Sequence, residues 1–378
     1  MNHTGQVRKE KIFFPNLDGL RFFSFFSVYL FHIFLLLFDK YHRSGWSYRL
    51  VRFLFQNGEI GVNFFFVLSG FLITYLLVEE KRFTGKIHIG KFYLRRILRI
   101  WPLFYLVVFV GFLVYPIIKG QMGAELFQAA HPVMYLVFLN NFDFLKNGAP
   151  AFISILWSVA IEEQFYLMWP VVLFIIPVNR YKWLFFGVIL LTLLFRMLHH
   201  SESRVLQFHS LAVIGDMALG GLLAYYSIFS DAFRNRIRQL PRALISLVYL
   251  LALLIFLFRQ NLFAGYMIVF ERIFIGIIFG LIILEQNFSD HSLFKMSQFK
   301  RISKLGIYTY GLYCLHVLSL NLAEMGFVKL GFDMKKASTY GFIGITGLVF
   351  SIVLALLSYY LYESKFLQLK NKFAFIVR

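Results

Sequence analysis

The chain has 378 residues, of which 59% are hydrophobic and 20% aromatic, including 49 phenylalanines. A mean hydropathy of +0.70 is far above that of soluble domains, so the composition indicates a polytopic membrane protein. The net charge of +19 would favour nucleic acid as a partner of a soluble chain. Here the basic residues lie between apolar segments without an aromatic-basic recognition motif, which argues against nucleic-acid binding.

Ten apolar runs are long enough to cross a bilayer as helices. They lie near residues 17–38, 59–78, 100–118, 155–176, 183–199, 208–228, 243–258, 264–284, 305–325 and 339–362. An eleventh run, 131–142, is too short to cross alone, and a crossing there would put the basic cluster 234–242 outside. The sequence therefore predicts an all-α membrane bundle of about ten helices plus one re-entrant or interfacial segment.

The basic residues also predict how the chain is oriented. With ten crossings, one side collects Arg8, Lys9 and Lys11 together with most later basic clusters, so we expect both termini in the cytoplasm. The first 14 residues lack the apolar core and cleavage site of a signal peptide. Since no tandem repeat, linker or low-complexity tract interrupts the chain, we expect residues 1–378 to form a single transmembrane domain without an attached soluble domain.

Arg21 and His32 are ionisable residues inside the first apolar run. Eleven residues make three helical turns plus about 20°, so the two side chains share a face, about 16 Å apart along the axis. Ionisable groups at membrane depth are costly and face a protein interior or a water-filled cavity. An imidazole there can accept a proton from a hydroxyl and return it. The alternative is a histidine that only makes a hydrogen bond between helices.

A cationic cluster, KFYLRRILRIWP, precedes the third apolar run. Arg96 and Arg99 are three residues apart and share a helix face, with Arg95 about 100° away. Two guanidinium groups on one face can clamp phosphates in bidentate fashion, which favours a phosphate-bearing ligand. Positive-inside anchoring produces similar clusters and is the alternative.

Two adjacent carboxylates, Glu162 and Glu163, lie in the segment SILWSVAIEEQFYLMWP. On a helix they point about 100° apart, so only one can face a given cavity. A carboxylate there could orient an imidazole or hold a sugar hydroxyl. Alternatively, either residue snorkels to the membrane interface or pairs with Arg272 in the eighth run.

A second membrane histidine, His316, lies in LGIYTYGLYCLHVLSL with Tyr313 nearby. Two histidines in separate membrane helices could meet, so His316 could approach His32. Asp216, in the sixth run, is a further intramembrane carboxylate and a candidate site residue. With no HExxH motif and no clustered His/Asp set, we expect no metal site.

Five segments occur in the order and spacing of a known family: LDGLR followed by His32, GVNFFFVLSGFLIT, RRILRIWP, WSVAIEEQFYLMWP and GIYTYGLYCLH. Together they resemble the membrane-bound acyltransferase family 3 across most of the chain. The resemblance implies a bacterial inner-membrane enzyme that moves acyl groups, commonly acetyl, from cytoplasmic acyl-coenzyme A to carbohydrates. Two departures stand out: Asn63 replaces a frequent Asp, and Glu363-Ser364-Lys365 replaces a Glu-Lys-Pro ending.

The resemblance also implies roles for individual residues. Arg21 and His32 match an Arg-x10-His pair with His32 as the catalytic base, and Glu162 matches the carboxylate of an SVE-like motif. Arg96 and Arg99 match a donor-binding pair, to which Arg95 is a possible addition. The candidates on the acceptor side are Trp157, Glu163, His316, Tyr313 and Asp216.

The sequence thus predicts an O-acyltransferase that uses acetyl-CoA or another acyl-CoA as co-substrate, a cell-surface or lipid-linked glycan as acceptor, and no permanently bound cofactor or metal. An acyl-histidine intermediate on His32 is the alternative chemistry. The alternative function is a proton-coupled transporter or lipid-linked sugar flippase, with Arg21, His32, Asp216 and His316 as relay groups. Many transporters show internal repeats, and none is evident in the sequence.

Overall fold

The computed structural model describes residues 14–41, 44–121, 130–148, 151–334 and 336–371. Over these ranges the regular structure is helical, without strands. Ten long helices run in chain order: α1 Pro15–Ile33, α2 Ile60–Thr84, α3 Ile89–Phe109, α4 Trp157–Ile175, α5 Tyr181–Leu198, α6 Ser210–Phe229, α7 Arg242–Leu262, α8 Glu271–Phe288, α9 Thr309–Lys329 and α10 Ala337–Ser358. The predicted all-α membrane bundle is confirmed.

Shorter elements connect or extend these helices. Single π-helical turns follow three of them, at Phe34–Phe38, Val110–Val114 and Tyr359–Glu363, and 3₁₀ turns lie at Val178–Arg180, Gly265–Val269 and Met296–Gln298. The short α-helices are Asp39–Tyr41, Gly45–Phe55, Tyr115–Gln121, Pro132–Leu136, Asn140–Asn147, Ala151–Ser154, Ser203–Phe208, Asp231–Arg238, Lys300–Ile307 and Ser364–Asn371. The N-terminal residues Arg8, Lys9 and Lys11, on which the orientation was partly based, lie outside the described ranges.

Nine helical stretches in the described part of the chain are long and apolar enough to span a membrane. The remaining long helix, α8, carries Glu271, Arg272 and Glu285, and it begins at residue 271 rather than at 264 as the apolar run predicted. All three charged side chains are buried, and each meets a polar partner inside the protein. Charges at membrane depth persist under that condition, so α8 fits within the bundle despite them.

The segment 131–142 forms two short helices instead of a crossing. The longer of them, Asn140–Asn147, has eight residues and is therefore about 12 Å long, against a hydrocarbon core of about 30 Å. Gln164 of α4 ties the segment to the bundle by donating to the Phe138 carbonyl at 2.7 Å and to Asn141 Oδ1 at 2.9 Å. The structure thus agrees with the prediction that this segment does not cross.

Helices α2 and α6 pack with their backbones in close contact at two glycines. A Cβ atom at Gly70 would lie 1.9 Å from the Met217 carbonyl oxygen, and one at Gly220 would lie 2.0 Å from the Val67 carbonyl oxygen. Neither backbone oxygen can move away easily, so glycine is required at both positions. Small residues at helix interfaces allow this approach in membranes. The contact fixes α2, which carries several residues of the site described next.

Candidate active site

Two histidines from distant parts of the chain are in contact. His32 lies near the end of α1 and His316 in α9, and His316 Nε2 is 3.2 Å from His32 Nδ1. The rings meet edge to face with centroids 4.8 Å apart. His316 is 0% exposed, whereas His32 is partly exposed and lines a cavity. The prediction that two membrane histidines meet is confirmed, and only one of them is open to a ligand.

One arrangement of ring protons satisfies the hydrogen bonds of this pair. His316 Nδ1 lies 2.6 Å from the carbonyl oxygen of Tyr313, and His32 Nδ1 lies 2.9 Å from that of Val28. A carbonyl oxygen only accepts, so each Nδ1 carries the proton. The single proton on His32 Nδ1 is then shared between the Val28 carbonyl oxygen and His316 Nε2, both of which accept, and His32 Nε2 keeps its lone pair. That is the protonation state in which an imidazole can act as a general base.

The cavity beside His32 has a volume of about 570 Å³ and a mixed aromatic and polar lining. Glu59 is one of its carboxylates: Gln207 Nε2 donates to Glu59 Oε2 at 2.5 Å, and Arg259 pairs with Glu59 Oε1. Aromatic walls with a few convergent polar groups are typical of small-molecule sites. Besides His32, the lining includes Asp39, Tyr48, Arg52, Gln56, Glu59, Phe144, Trp157, Gln207, Phe208, Gln260 and Tyr313.

A second cavity, of about 280 Å³, is strongly cationic. Its lining includes Arg21, Arg95, Arg96, Arg99 and Lys370. Arg21 Nη1 donates to Asp18 Oδ1 at 2.7 Å, one turn earlier in α1. The two residues of the Arg-x10-His pair therefore line different cavities, although they belong to one helix. Guanidinium groups gathered in this way are suited to phosphate or carboxylate ligands.

The arginines of α3 are held in different ways. Arg95 Nη2 donates to Glu80 Oε2 at 3.0 Å, and His88 Nδ1 lies 3.0 Å from Glu80 Oε1, so a carboxylate compensates the charge of Arg95. Arg96 instead lies over the rings of Phe92 and Tyr166, with its guanidinium carbon 5.5 and 5.1 Å from their centroids. Aromatic faces hold a guanidinium in place and leave its N–H edge for a ligand.

Glu162 lies in the arginine-lined cavity, away from the histidines. Ser69 Oγ donates to Glu162 Oε1 and Tyr166 Oη donates to Glu162 Oε2, both at 3.0 Å. The described hydrogen-bond partners of His32 are Val28 and His316, so the structure does not support Glu162 as the residue that orients the imidazole. The reason is the direction of α4, which takes Glu162 one turn past Ser158 towards the arginines.

Two acceptor-side candidates lie in contacts between helices. Glu163 is buried and accepts from Trp101 Nε1 at 2.7 Å. Asp216 is buried and accepts from Arg272 Nη2 at 2.5 Å and from Asn63 Nδ2 at 3.3 Å, so the alternative pairing of Arg272 with Glu162 or Glu163 is wrong. Neither carboxylate is among the residues that line the two cavities. Their contacts stabilise the bundle.

Sequence reasoning missed several lining residues. Glu59 stands directly before the segment GVNFFFVLSGFLIT, and a carboxylate at the border of an apolar run was a signal that could have been used. Ser69 was not among the candidate residues, and its hydroxyl donates to Glu162. Gln207 offers no signal in the sequence, because its role depends on the short helix Ser203–Phe208 reaching Glu59 across 148 residues of chain.

Fold and site together define a helical membrane protein with two cavities. A pair of histidines, one buried and one partly exposed, lies beside the first cavity, and a cluster of arginines lines the second. The family described as an acyltransferase domain matches residues 14–360. The chain therefore belongs to this acyltransferase family, which confirms the resemblance seen in its motifs.

Three relatives illustrate the similarity. The chain is 30% identical over 178 residues to the peptidoglycan O-acetyltransferase OatA of Listeria monocytogenes, covering 45% of this chain and 25% of that protein. It is 33% identical over 170 residues to YrhL of Bacillus subtilis, a candidate peptidoglycan O-acetyltransferase, covering 43% of this chain and 24% of YrhL. A candidate O-acetyltransferase of Staphylococcus aureus strain COL is 30% identical over 244 residues, covering 60% and 37%. No solved structure matches the chain.

The matches cover 24% to 37% of the length of these relatives. What OatA, YrhL and the staphylococcal protein do as whole molecules is therefore a guide for a proposal about this chain.

Proposed function

We propose that this protein transfers an acyl group, in the first place acetyl, from acyl-coenzyme A to a hydroxyl of a carbohydrate, with His32 as the general base. The observation that carries the proposal is the state of His32: its ring lines a cavity, and a fully buried histidine holds its Nδ1 proton. An imidazole oriented through one nitrogen presents the other to a reacting hydroxyl. The acetyltransferase names of the relatives support acetyl as the group moved.

The arginine-lined cavity is the proposed donor site. Coenzyme A carries several phosphate charges, and Arg21, Arg96 and Arg99 offer planar donors that bind phosphate oxygens in pairs. Arg95 contributes less, because Glu80 already compensates its charge. Since acyl-CoA is made in the cytoplasm, we assign this cavity to the cytoplasmic side of a bacterial inner membrane, with both termini on that side.

The cavity beside His32 is the proposed acceptor site. Trp157 offers an aromatic face for a sugar ring, and Glu59 and Gln207 offer oxygens and N–H groups for its hydroxyls. Two of the relatives are named for peptidoglycan, which supports a glycan as the class of acceptor. We leave Asp216 and Glu163 out of the proposed site, because their side chains are buried in helix contacts.

The reaction balances with His32 alone as the proton carrier. His32 Nε2 takes the proton of the acceptor hydroxyl as its oxygen attacks the thioester carbonyl carbon. The new C–O bond forms, the C–S bond breaks, and the thiolate of coenzyme A takes the proton back from the imidazolium. During this cycle the positive charge on His32 is shared with His316 through the Nδ1 hydrogen bond, much as an acceptor stabilises the imidazolium of a catalytic triad.

The test is turnover of labelled acetyl-CoA by the purified protein in lipid nanodiscs, with release of free coenzyme A and label in glycan as readouts. His32→Ala should lower transfer about 10²–10⁴-fold, the usual contribution of a general base. His200→Ala is the matched control, because His200 lies outside the site and stacks on Tyr266 at 4.6 Å. Full transfer by a well-folded His32→Ala protein contradicts the assignment of the base.

Two alternatives give different results in the same assay. A transporter that uses the same buried charges leaves acetyl-CoA intact. An acyl-histidine intermediate leaves labelled protein when the acceptor is omitted, and that label is absent from His32→Ala.

A further inference from the structure

Tyr313 lies between the two cavities. Tyr313 and Val62 are in the lining of both the arginine-lined cavity and the cavity of His32. The Tyr313 hydroxyl is 2.7 Å from Ser158 Oγ, and its ring meets Phe65 edge to face with centroids 6.0 Å apart. Three helices therefore contribute to this boundary: α2 supplies Val62 and Phe65, α4 supplies Ser158, and α9 supplies Tyr313.

The hydrogen bonds at the boundary join neutral groups. Both hydroxyls reach the Ile155 carbonyl oxygen at 3.3 Å in addition to each other, and each is a neutral donor. Neutral hydrogen bonds of this kind are weaker than the charge-assisted bonds elsewhere in the site, such as Arg21 to Asp18. The hydroxyl contact can therefore be broken at a lower cost than the charge-assisted bonds on either side.

The boundary presents a problem for the proposed chemistry. The groups suited to phosphate lie on one side of Tyr313, and the imidazole lies on the other. A hydroxyl that His32 deprotonates must come within about 3–3.5 Å of the acyl carbon. The acyl end of the donor must therefore pass Tyr313, while the phosphates stay with the arginines.

We propose that Tyr313, held by Ser158, is a partition that admits a short acyl group to the His32 cavity and excludes longer ones. The inference rests on the proposed function and names a specificity-determining residue for it. The ring and Val62 make the passage apolar, which suits an acyl chain, while the polar His32 cavity beyond it suits a hydroxyl acceptor. By narrowing the passage, the same partition also limits how much water of that cavity reaches the thioester.

The experiment compares acetyl-CoA with butyryl-CoA and measures transfer to glycan and hydrolysis without acceptor. Tyr313→Ala opens the passage, so we expect the butyryl-to-acetyl ratio of kcat/KM to rise about tenfold or more, the usual scale of discrimination by a fitted pocket. Hydrolysis relative to transfer should rise in the same variant, because water then takes the acyl group in place of the glycan. An unchanged ratio and unchanged hydrolysis in folded Tyr313→Ala overturn the partition.

Tyr313→Phe and Ser158→Ala keep the core filled and test the hydroxyl contact directly. If the hydrogen bond between the two hydroxyls holds the partition closed, each single variant raises hydrolysis relative to transfer, and the double variant raises it no further. If the two single variants have additive effects on hydrolysis, or no effect, the hydroxyl contact does not hold the partition. This test remains valid even if Tyr313→Ala fails to fold. The wild-type protein tests the proposed function separately. If it transfers acetyl to glycan, the proposed function holds whether or not the variants support the partition. If it releases no coenzyme A, the proposed function is refuted.

Discussion

His316 Nε2 accepts a hydrogen bond from His32 Nδ1 across 3.2 Å, although the two residues are 284 positions apart in the chain. His316 is fully buried, whereas His32 lines a cavity, so a ligand in that cavity would contact His32 rather than His316. The pair resembles a triad in which the orienting carboxylate is replaced by a neutral imidazole. With His32 as the proposed base, we propose His316 as a positioning residue, and this leads to the first prediction.

Replacing His316 should affect turnover more than donor binding. His316→Ala removes one of the two acceptors of the His32 Nδ1 proton and leaves the Val28 carbonyl oxygen, so kcat should fall about 10²-fold or more, with KM for acetyl-CoA unchanged. His316→Gln retains an oxygen that can accept the proton and should restore part of kcat. The acidic limb of the pH–rate profile should differ between wild type and His316→Ala. If the profiles are identical and His316→Ala and His316→Gln lose kcat equally, the role of His316 is purely structural.

Substitutions of the α3 arginines should have different effects, because Arg95 and Arg96 have different contacts. Arg96→Ala removes a guanidinium that lies over two aromatic rings, so KM for acetyl-CoA should rise about 10- to 100-fold, the value of charge-assisted hydrogen bonds to phosphate. Arg95→Ala should raise KM less and lower thermal stability more, because it leaves Glu80 buried without this partner. Steady-state kinetics and melting curves of both variants check this, and the reverse order contradicts the proposed donor site.

Trp157 should matter for the acceptor alone. Trp157→Ala removes an aromatic wall of the His32 cavity, so KM for the glycan should rise about two- to tenfold, with little change in KM for acetyl-CoA. Trp183 is the control, since its side chain is 66% exposed on α5 and belongs to neither cavity. Equal effects of Trp157→Ala and Trp183→Ala on the glycan KM would remove the basis for placing the acceptor here.

The Asp216–Arg272 pair should contribute to stability rather than chemistry. Asp216→Ala leaves Arg272 buried without its carboxylate, which costs about 3–5 kcal/mol in comparable cases, so the melting temperature should drop markedly. Asp231→Ala breaks a surface pair whose aspartate side chain is 84% exposed and should cost less than about 1 kcal/mol. Thermal unfolding followed by fluorescence decides the comparison. A stable Asp216→Ala protein with no activity restores Asp216 as a site residue.

The glycine contact between α2 and α6 offers a steric test. Gly70→Ala places a Cβ atom 1.9 Å from the Met217 carbonyl oxygen, so the helices must separate and the yield of folded protein should fall severalfold. Gly187→Ala, in α5, meets nothing within 4 Å and should leave yield unchanged. Size-exclusion profiles in detergent measure both, and normal folding of Gly70→Ala would show that the contact can relax.

The helices and several site residues could be predicted from the sequence because their signals are local. Run length and hydropathy predicted the bundle, and an eleven-residue spacing placed Arg21 and His32 on one helix face. α8 was placed seven residues early at its start, since Gly265–Val269 is as apolar as the helix that follows. The neighbours of Glu162 could not be predicted, because they depend on how α4 packs in the bundle: its carboxylate accepts from Ser69 and Tyr166 in the arginine-lined cavity.

The sequence by itself determined that this is a helical membrane protein of the acyltransferase family, with an imidazole and a set of arginines at membrane depth. Only the tertiary structure decided that Arg21 and His32 line different cavities, that His316 contacts His32, and that Tyr313 lies between the two cavities. The physical reason is that helical periodicity sets which face a side chain occupies. What that face meets depends on packing between segments such as α4 and α9, whose contact joins Ser158 to Tyr313 across 155 residues.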